Sequence, residues 1–416
     1  MEVYEVVWLI VAGALVLFMT PGLALFYGGL SKAKSAVNMM MMSFAAMGLV
    51  ALVWALWGDS MAFGESVGAL FGNPADNFAQ SDMVGSEDQY ALVEVGFGAT
   101  FAIITTALIS GAIADRAKFS TWMIFVPIWM TLVYAPLAHW VWGDGLLTTG
   151  PIGSAVGEAV DFAGGLVVHM CAGLAALALV LVIGPRSDFA PTRGHNMPLV
   201  LLGASILWFG WFGFNVGEAG DAAQVGINWI NTMLCPAAAL VAWLITEWAR
   251  GQKPTATGAA SGIVAGLVAI TPACAYVTPI WAIVIGIVSG VICQIAVNLK
   301  FTLKYDDTLD VVGLHFVAGL WGTIAIGLFA DESLLAADEF EYAGGLLTGG
   351  GIDLLIAQAV ACLVTLVFTF VVTYIIGLAL HKTIGFRVEP DVEEEGIDSA
   401  AHGETAYELA APAAKE

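Results

Sequence analysis

Long apolar runs alternate with short polar breaks along almost the whole chain. Each run is about 20 residues long or longer, which is the length that a helix needs to cross the hydrocarbon core of a bilayer. The runs lie near residues 6–29, 36–58, 91–114, 120–139, 160–183, 197–217, 226–248, 257–277, 279–299, 311–330 and 351–380. The pattern therefore predicts an all-α polytopic membrane protein with 11 transmembrane helices.

The cationic side chains all fall in alternate breaks between these runs. The 13 Lys and Arg residues are Lys32, Lys34, Arg116, Lys118, Arg186, Arg193, Arg250, Lys253, Lys300, Lys304, Lys382, Arg387 and Lys415. Because retained loops carry Lys and Arg on the cytoplasmic side, we expect an outer N-terminus and a cytoplasmic C-terminus. No basic segment precedes the first run, so we interpret that run as a retained helix and not as a cleaved signal.

The composition excludes a soluble protein, since 59% of the residues are hydrophobic and the mean hydropathy is +0.86. The 35 Asp and Glu outnumber the cations, and many, such as Asp76 and Asp82, fall in predicted outer loops. A negative outer face attracts small cations and repels anions and nucleic acid, so no nucleic-acid partner is expected. Simple solvation of the loops, or a saline habitat, is the alternative explanation.

The five cysteines lie in or beside apolar runs without ligand-like spacing, which indicates small hydrophobic side chains.

Two of the apolar runs contain a histidine shortly after an aspartate. The fifth reads DFAGGLVVH, from Asp161 to His169, and the tenth reads DVVGLH, from Asp310 to His315. Five helices separate the two copies, which predicts an inverted repeat of helices 1–5 and 6–10 with a substrate path at their interface. Ionisable residues at similar depth within a membrane favour a functional pathway over simple packing.

Several chemistries suit such a histidine pair. Two neutral imidazoles can share one hydrogen bond and pass a proton, because each ring has one donor and one acceptor nitrogen. A zinc site is not predicted, since no further ligand lies at suitable spacing. A haem bound by the two histidines stays open as an alternative, and so does hydrogen bonding between packed helices. Asp161 could be only a helix N-cap.

Aromatic residues are predicted above the histidines, on the outer half of the protein. They are Phe97, Phe101, Trp142 and Phe214. Phe97 and Phe101 share one face of the third helix because they are four residues apart. An interfacial aromatic belt explains Trp208 and Trp211. Phe101 and Phe214 lie too deep for such a belt, which leaves core packing or a pore gate.

Five stretches in this order resemble the Amt/Mep/Rh ammonium transporters, specifically the bacterial and archaeal Amt branch. They are FYGGLSKAKSAVNMMMMS, DFAGGLVVH, GWFGFNVGE, DDTLDVVGLH and HGETAYEL. The resemblance implies a transporter and not an enzyme, without a cofactor, in the inner (plasma) membrane. It also implies a homotrimer in which each protomer has its own pore. Residues 1–384 would form the membrane domain and residues 385–416 a cytoplasmic regulatory tail, which could contact a PII-type signalling protein.

The same resemblance implies a role for each candidate residue. His169 and His315 would be the paired pore histidines, Asp161 would organise the outer vestibule, Phe101 and Phe214 would form a stacked gate, and Trp142 and Phe97 would recruit ammonium, or methylammonium as its analogue. Ring faces attract a partly desolvated cation by about 1–2 kcal/mol. The cation would lose a proton near the gate, ammonia would pass, and the histidines would transfer the proton, which favours electrogenic uptake.

Two residues depart from the family pattern. Glu218 occupies a position that is serine in most relatives, and Asp144 occupies one that is usually glycine. Both add negative charge at the outer mouth, and we expect Glu218 to join the recruitment site unless it caps or pairs elsewhere. An ammonium-binding sensor without significant transport is the alternative function.

Overall fold

A computed structural model of the protein describes residues 3–86, 89–191 and 194–407. Arg193 and Lys415, which enter the orientation argument, lie outside the described residues, as do the last two residues of HGETAYEL. The long helices are α1 (Val3–Leu30), α2 (Ala33–Phe63), α3 (Gln89–Ile113), α4 (Phe119–Trp142), α5 (Gly165–Ile183), α6 (Met197–Val216), α7 (Ala222–Ala249), α8 (Ala256–Ile270), α9 (Pro279–Leu303), α10 (Val312–Phe329) and α11 (Asp353–Thr383).

Shorter elements lie at both ends of the helix bundle. Four short helices span Pro151–Val156, Glu332–Ala337, Pro390–Glu395 and Ile397–His402. Strands β1 (Ser66–Val67) and β2 (Phe71–Gly72) form a small antiparallel hairpin in which Ser66 pairs with Gly72.

Ten helices in the described part of the chain are long and apolar enough to cross a membrane. This confirms the predicted class, an all-α multi-pass membrane protein. The eighth predicted run, 257–277, is helical only as α8, whose 15 residues are about 22 Å long and do not match a 30 Å core. The helix ends where Pro272 follows, because proline lacks the backbone N–H that the next turn requires. The count of 11 spans and their orientation therefore stay predictions.

Polar side chains cap the start of several helices. The side chain of Asn196 accepts a hydrogen bond from Leu199 N at the start of α6. Asp221 and Thr255 cap α7 and α8 in the same way. These caps satisfy backbone N–H groups that have no partner within the helix, which fixes where each span starts.

Helix α5 is the most enclosed of the long apolar helices that the structure describes. In the most apolar 18-residue stretch of α5, 83% of the residues are buried, whereas 33% are buried in the corresponding stretch of α11. Glycines bring α10 close to α5, since a Cβ atom on Gly173 would lie 2.3 Å from the backbone nitrogen of Phe316. Gly319 likewise faces Gly165 O, at 3.0 Å from an added Cβ. Small residues of this kind let membrane helices approach closely, and here they join the two histidine-bearing helices.

Buried ion pairs hold together the loops at the predicted cytoplasmic ends of α3, α5 and α9. Arg186 contacts Asp306 through Nε at 2.8 Å and Nη2 at 2.9 Å, and Arg116 Nη2 donates to the Asp306 carbonyl at 2.6 Å. Burial alone would raise the pKa of Asp306, but the hydrogen bonds and the charge of Arg186 lower it below its ordinary value. Asp115 adds a further contact to Arg186 at 3.4 Å.

The start of the predicted cytoplasmic tail packs onto the same side of the protein. Asp398 accepts hydrogen bonds from Val37 N at 3.0 Å and Asn38 N at 2.8 Å, near the start of α2. Arg387 pairs with Glu393 at 2.7 Å within the tail. The division into residues 1–384 and 385–416 stays a prediction.

Candidate functional site

The two predicted histidines meet in the centre of the bundle. His169 Nδ1 and His315 Nδ1 lie 3.3 Å apart, and the ring centroids are 5.4 Å apart. Both side chains are buried, and each belongs to a π-helical turn at the start of its helix. A hydrogen bond between two Nδ1 atoms requires one ring to donate and the other to accept. His169 Nε2 has no hydrogen-bond partner among the described residues, so this nitrogen is open to a small molecule.

A buried aspartate caps each histidine-bearing helix. Asp161 Oδ1 accepts from Gly164 N and Gly165 N at 2.9 and 2.6 Å, and Oδ2 accepts from Leu166 N at 2.8 Å. The backbone carbonyl of Asp161 also accepts from Trp142 Nε1 at 2.8 Å. Asp161 thus contacts the protein backbone, as the N-cap alternative predicts, and it fixes the indole of Trp142 at the same time.

The counterpart of Asp161 on the other helix is Asp307 and not Asp310. Asp307 Oδ1 accepts from Val311 N at 3.0 Å, and Oδ2 accepts from Val312 N at 2.7 Å. It precedes His315 by eight residues, the same separation as between Asp161 and His169. The expected pairing with Asp310 was wrong, because Asp310 has a left-handed backbone (φ 65°) and binds Lys300 Nζ at 2.5 Å instead.

The four predicted aromatic residues form one continuous cluster that ends at the histidines. Phe101 and Phe214 are stacked, with ring centroids 4.1 Å apart and an interplanar angle of 28°. Trp142 meets Phe101 edge-on at 6.2 Å, and Phe97 lies 4.9 Å from Phe101. Below them, the ring of Phe214 lies 6.0 Å from that of His169. The sequence-predicted aromatics are thus brought together with the histidine pair.

Trp211 is a member of this cluster that the sequence analysis missed. Its ring stacks on His169 at 5.3 Å with an angle of 22°, and its Nε1 donates to Thr271 Oγ1 at 2.8 Å. Only 2% of Trp211 is exposed, so its assignment to an interfacial belt was wrong. The signal was available, because Trp211 and Phe214 are three residues apart and therefore share a helix face.

A narrow apolar cavity contacts both histidines. Its volume is about 10 Å³, close to the smallest space that holds one water molecule. Apart from His169, His315, Trp211 and Phe214, its walls are Met19, Leu23, Phe26, Ile104, Leu108, Leu207 and Val264. An ion with its hydration shell does not fit this space, whereas a molecule of the size of water or ammonia does.

Glu218 lies in a much wider chamber, just beyond the predicted outer end of α6. The chamber has a volume of about 980 Å³, and Trp8, Asp59 and Glu94 are among its other wall residues. The Glu218 side chain is exposed to the chamber, but the protein atoms around it reduce its hydration, and this desolvation together with the negative charge of Glu94 raises the pKa of Glu218 to about 7. Trp142 is not among the chamber's described wall residues.

Asp144 is exposed in the loop after Trp142, and its backbone is left-handed, with φ 58°. Glycine adopts this conformation without cost and aspartate tolerates it better than most residues. The turn itself therefore explains which residue types this position accepts.

Metal ligands are not clustered in the described ranges, which contain no group of three or more His, Cys, Asp or Glu side chains that could hold a metal ion. All five cysteines are buried and free.

The arrangement can be compared with known proteins. The Ammonium Transporter Family matches residues 7–407. This chain belongs to that family. An ammonium transporter of Mycobacterium tuberculosis is 46% identical over 432 aligned positions, which cover 98% of this chain and 90% of that relative. The resemblance drawn from the five stretches is thus confirmed at the level of the family, and the relatives are named as transporters and not as enzymes.

Solved structures of the family share the fold. A protein named "Sensor Amt Protein" superposes with a TM-score of 0.86 at 30% identity, covering 96% of this chain and 98% of its own. Mep2 of Candida albicans also gives a TM-score of 0.86, at 33% identity, over 94% of this chain and 87% of its own. The helical membrane architecture of this family member is therefore shared over nearly its whole length.

Proposed function

We propose that this protein transports ammonium across the inner (plasma) membrane through the aromatic and histidine cluster. The observation that carries the proposal is the uninterrupted contact from Trp142 and Phe101 through Phe214 to the paired histidines, beside an apolar cavity of about 10 Å³. Substrate recruitment is assigned to Trp142, Phe97 and Glu218, and gating to the stacked rings of Phe101 and Phe214.

The physical chemistry of the cavity defines the transported species. The free energy needed to move an ammonium ion from water into an apolar space is far larger than the attraction that aromatic ring faces offer the ion. Loss of a proton near the Phe101–Phe214 stack removes this cost, so ammonia passes the cavity while the histidine pair transfers the proton. Potassium has no proton to lose, and this chemistry rejects it. Ammonia and a proton crossing together would make uptake electrogenic.

An ammonium sensor without significant transport is the second candidate function. Two observations favour it. The stacked phenyl rings leave no open passage, and one of the structures that superpose with a TM-score of 0.86 is that of a protein named "Sensor Amt Protein". A sensor predicts saturable ammonium binding without current.

The homotrimer and control through the tail by a PII-type signalling protein are parts of the proposal that rest on family membership. Docking of the tail helix Ile397–His402 at the start of α2 supports a regulatory tail, because a partner that removed it would disturb α2.

Reconstitution into liposomes tests the function directly. We expect ammonium-dependent current in the wild type, and in the His169→Ala/His315→Ala double variant we expect loss of selective, proton-coupled transport with the fold retained, because alanine has no ring nitrogen that can accept or donate a proton. A double variant that carries ammonium current and still rejects potassium would overturn the proton-transfer role. Ammonium binding without any wild-type current would establish the sensor instead.

A further inference from the structure

The wide outer chamber contains Glu218, and apart from this residue the proposed pore mechanism does not use it. It lies between the predicted outer ends of α1, α2, α3 and α7 and the loop that joins α6 to α7, and its volume is about 980 Å³. It adjoins the aromatic cluster, because Gly217 lines the chamber and a Cβ atom at Gly217 would lie 2.4 Å from Phe97 Cζ. The chamber is far larger than a single ammonium ion needs.

The chamber wall carries five carboxylates, those of Glu5, Asp59, Glu94, Glu218 and Asp221, and its described residues include no Lys or Arg. The ion pairs within the described ranges involve only Lys and Arg of the predicted cytoplasmic breaks. Glu94 interacts electrostatically with both Asp59 and Glu218. Like charges in one concave space repel each other and attract mobile cations.

Asp59 gives an independent indication of a ligand. The residue is only 8% exposed, and it lies near the end of a membrane-spanning helix. Its one hydrogen bond comes from Gln80 Nε2 at 3.5 Å, the outer limit of such contacts, and Oδ1 accepts none from the residues that the structure describes. Burying a carboxylate with so little compensation is costly, so a cationic group in the chamber would relieve that cost.

The spacing of the carboxylates discriminates between kinds of cation. The described carboxylates do not form a group close enough to hold one metal ion. Apolar residues line the same chamber, among them Trp8, Leu9, Phe63 and Val95. Such a surface is complementary to an aliphatic chain with an ammonium group at each end, since the methylene groups contact the apolar wall and the ring of Trp8 attracts a cation.

We propose that the outer chamber binds a linear aliphatic diamine in its doubly protonated form, with Asp59, Glu94 and Glu218 as its anionic partners. Because Glu218 is also assigned to ammonium recruitment, this inference partly rests on the proposed function. A bound diamine neutralises Glu218 and lowers the capture of ammonium. The chamber is thus an inhibitory site for organic amines beside the pore.

Calorimetry on the purified protein, without ammonium, tests binding separately from transport. The probes are 1,4-diaminobutane and 1-aminobutane at matched ionic strength. We expect tighter binding of the diamine, and binding weaker by about two- to fivefold in Asp59→Asn and in Glu94→Gln, the range for one partly exposed ion pair. Glu341→Gln, an exposed carboxylate outside the chamber, is the matched control and should bind as the wild type does.

Equal binding of the two amines, or binding unchanged in both chamber variants, would overturn the proposal and indicate general attraction to an acidic surface. Displacement of the diamine by stoichiometric Mg²⁺ would replace it with a metal site. Should Asp59→Asn fail to fold, the exposed Glu94→Gln decides the same question. In liposomes the diamine should inhibit ammonium current less in Glu94→Gln than in the wild type. Absence of current in every variant would refute transport and leave the calorimetric result standing.

Discussion

At the scale of single residues, environment decides what each aromatic or ionisable side chain can do. Trp211 and Trp208 lie on the same helix and look alike in the sequence, yet Trp211 is stacked on His169 while Trp208 donates to Thr232 O near the bundle surface. From residue type alone, both tryptophans were predicted to lie in an interfacial aromatic belt. The spacing of three residues between Trp211 and Phe214 was a better guide to the environment of Trp211 than its residue type.

We expect Trp211→Leu to reduce ammonium flux by at least about tenfold, similar to Phe214→Leu, because both rings line the narrow cavity and its walls must exclude water. Stopped-flow uptake of methylammonium by liposomes measures this. Trp208→Leu is the control on the same helix and should retain most of the flux. Equal losses in all three variants would indicate damage to the fold.

Glu218 should make ammonium capture depend on pH. Its pKa is raised to about 7, so the carboxyl is neutral below that pH and negatively charged above it. An ion about 4 Å from the charged form gains about 1 kcal/mol in water, or about fivefold in affinity. Half-saturating ammonium should therefore fall as pH rises from about 6 to 8.

The Glu218 prediction can be checked with two variants and with a change of ionic strength. Glu218→Gln and Glu218→Ser should show a flat pH profile, and high ionic strength should remove the advantage of the wild type. A wild-type profile identical to that of both variants would exclude Glu218 from recruitment.

At the scale of elements, α5 and α10 are equivalent because each begins with a capped π-helical turn that carries a histidine. The sequence contained the DFAGGLVVH and DDTLDVVGLH stretches, so the pairing of His169 with His315 could be predicted. The assignment of Asp310 as the equivalent of Asp161 could have been corrected from the sequence, because Asp307 precedes His315 by the same eight residues that separate Asp161 from His169. The backbone N–H groups that a cap must reach become visible only when the helix start is known.

Asp307→Asn should therefore disturb α10 more than Asp310→Asn does. Loss of the charged cap is expected to destabilise the protein by about 1 kcal/mol or more and to lower the flux. Thermal unfolding in detergent combined with liposome flux would show this, and a larger effect for Asp310→Asn would contradict the assignment.

The close approach of α5 and α10 gives a prediction with a matched control. Gly173→Ala adds a Cβ atom 2.3 Å from Phe316 N, so the two helices must separate and the histidine contact must lengthen. We expect a lower unfolding temperature and loss of flux. Gly226→Ala on α7 meets no atom within 4 Å, and it should be neutral or stabilising because alanine favours helix. If Gly173→Ala behaves like Gly226→Ala, the close approach is not essential.

At the scale of the whole molecule, sequence hydropathy predicted the class and nearly every span, because the length of an apolar run and the thickness of a bilayer are linked directly. It overestimated α8, where Pro272 ends the helix within an apolar run. The chamber as a whole was not predictable, since its wall residues come from four helices and adjoining loops that are distant in the sequence, and among them only Gly217 and Glu218 belong to one of the family stretches, GWFGFNVGE.

Charge is distributed unequally over the molecule, with all 13 Lys and Arg in the predicted cytoplasmic breaks. Carboxylates on the predicted outer face therefore lie far from these cations and repel one another. We expect the unfolding temperature to rise by a few degrees when NaCl is increased from about 0.05 to about 0.5 M, because salt screens exposed charges. Differential scanning fluorimetry in uncharged detergent measures this, and an unchanged or lower unfolding temperature would show that the outer charges are already compensated.

If the histidine pair transfers the proton as proposed, the contact between its two Nδ1 atoms limits the timing of transport. The hydrogen bond between the two neutral rings contains one proton, which His169 Nδ1 donates to His315 Nδ1. When a second proton binds to His169 Nε2, the shared proton moves to His315 Nδ1, and His315 Nε2 releases its own proton on the far side. Both rings then have the opposite tautomer, and His169 Nε2 cannot accept again until the pair returns to its first state. The pair therefore admits protons one at a time, and its recovery time sets an upper limit on current that more ammonium cannot raise.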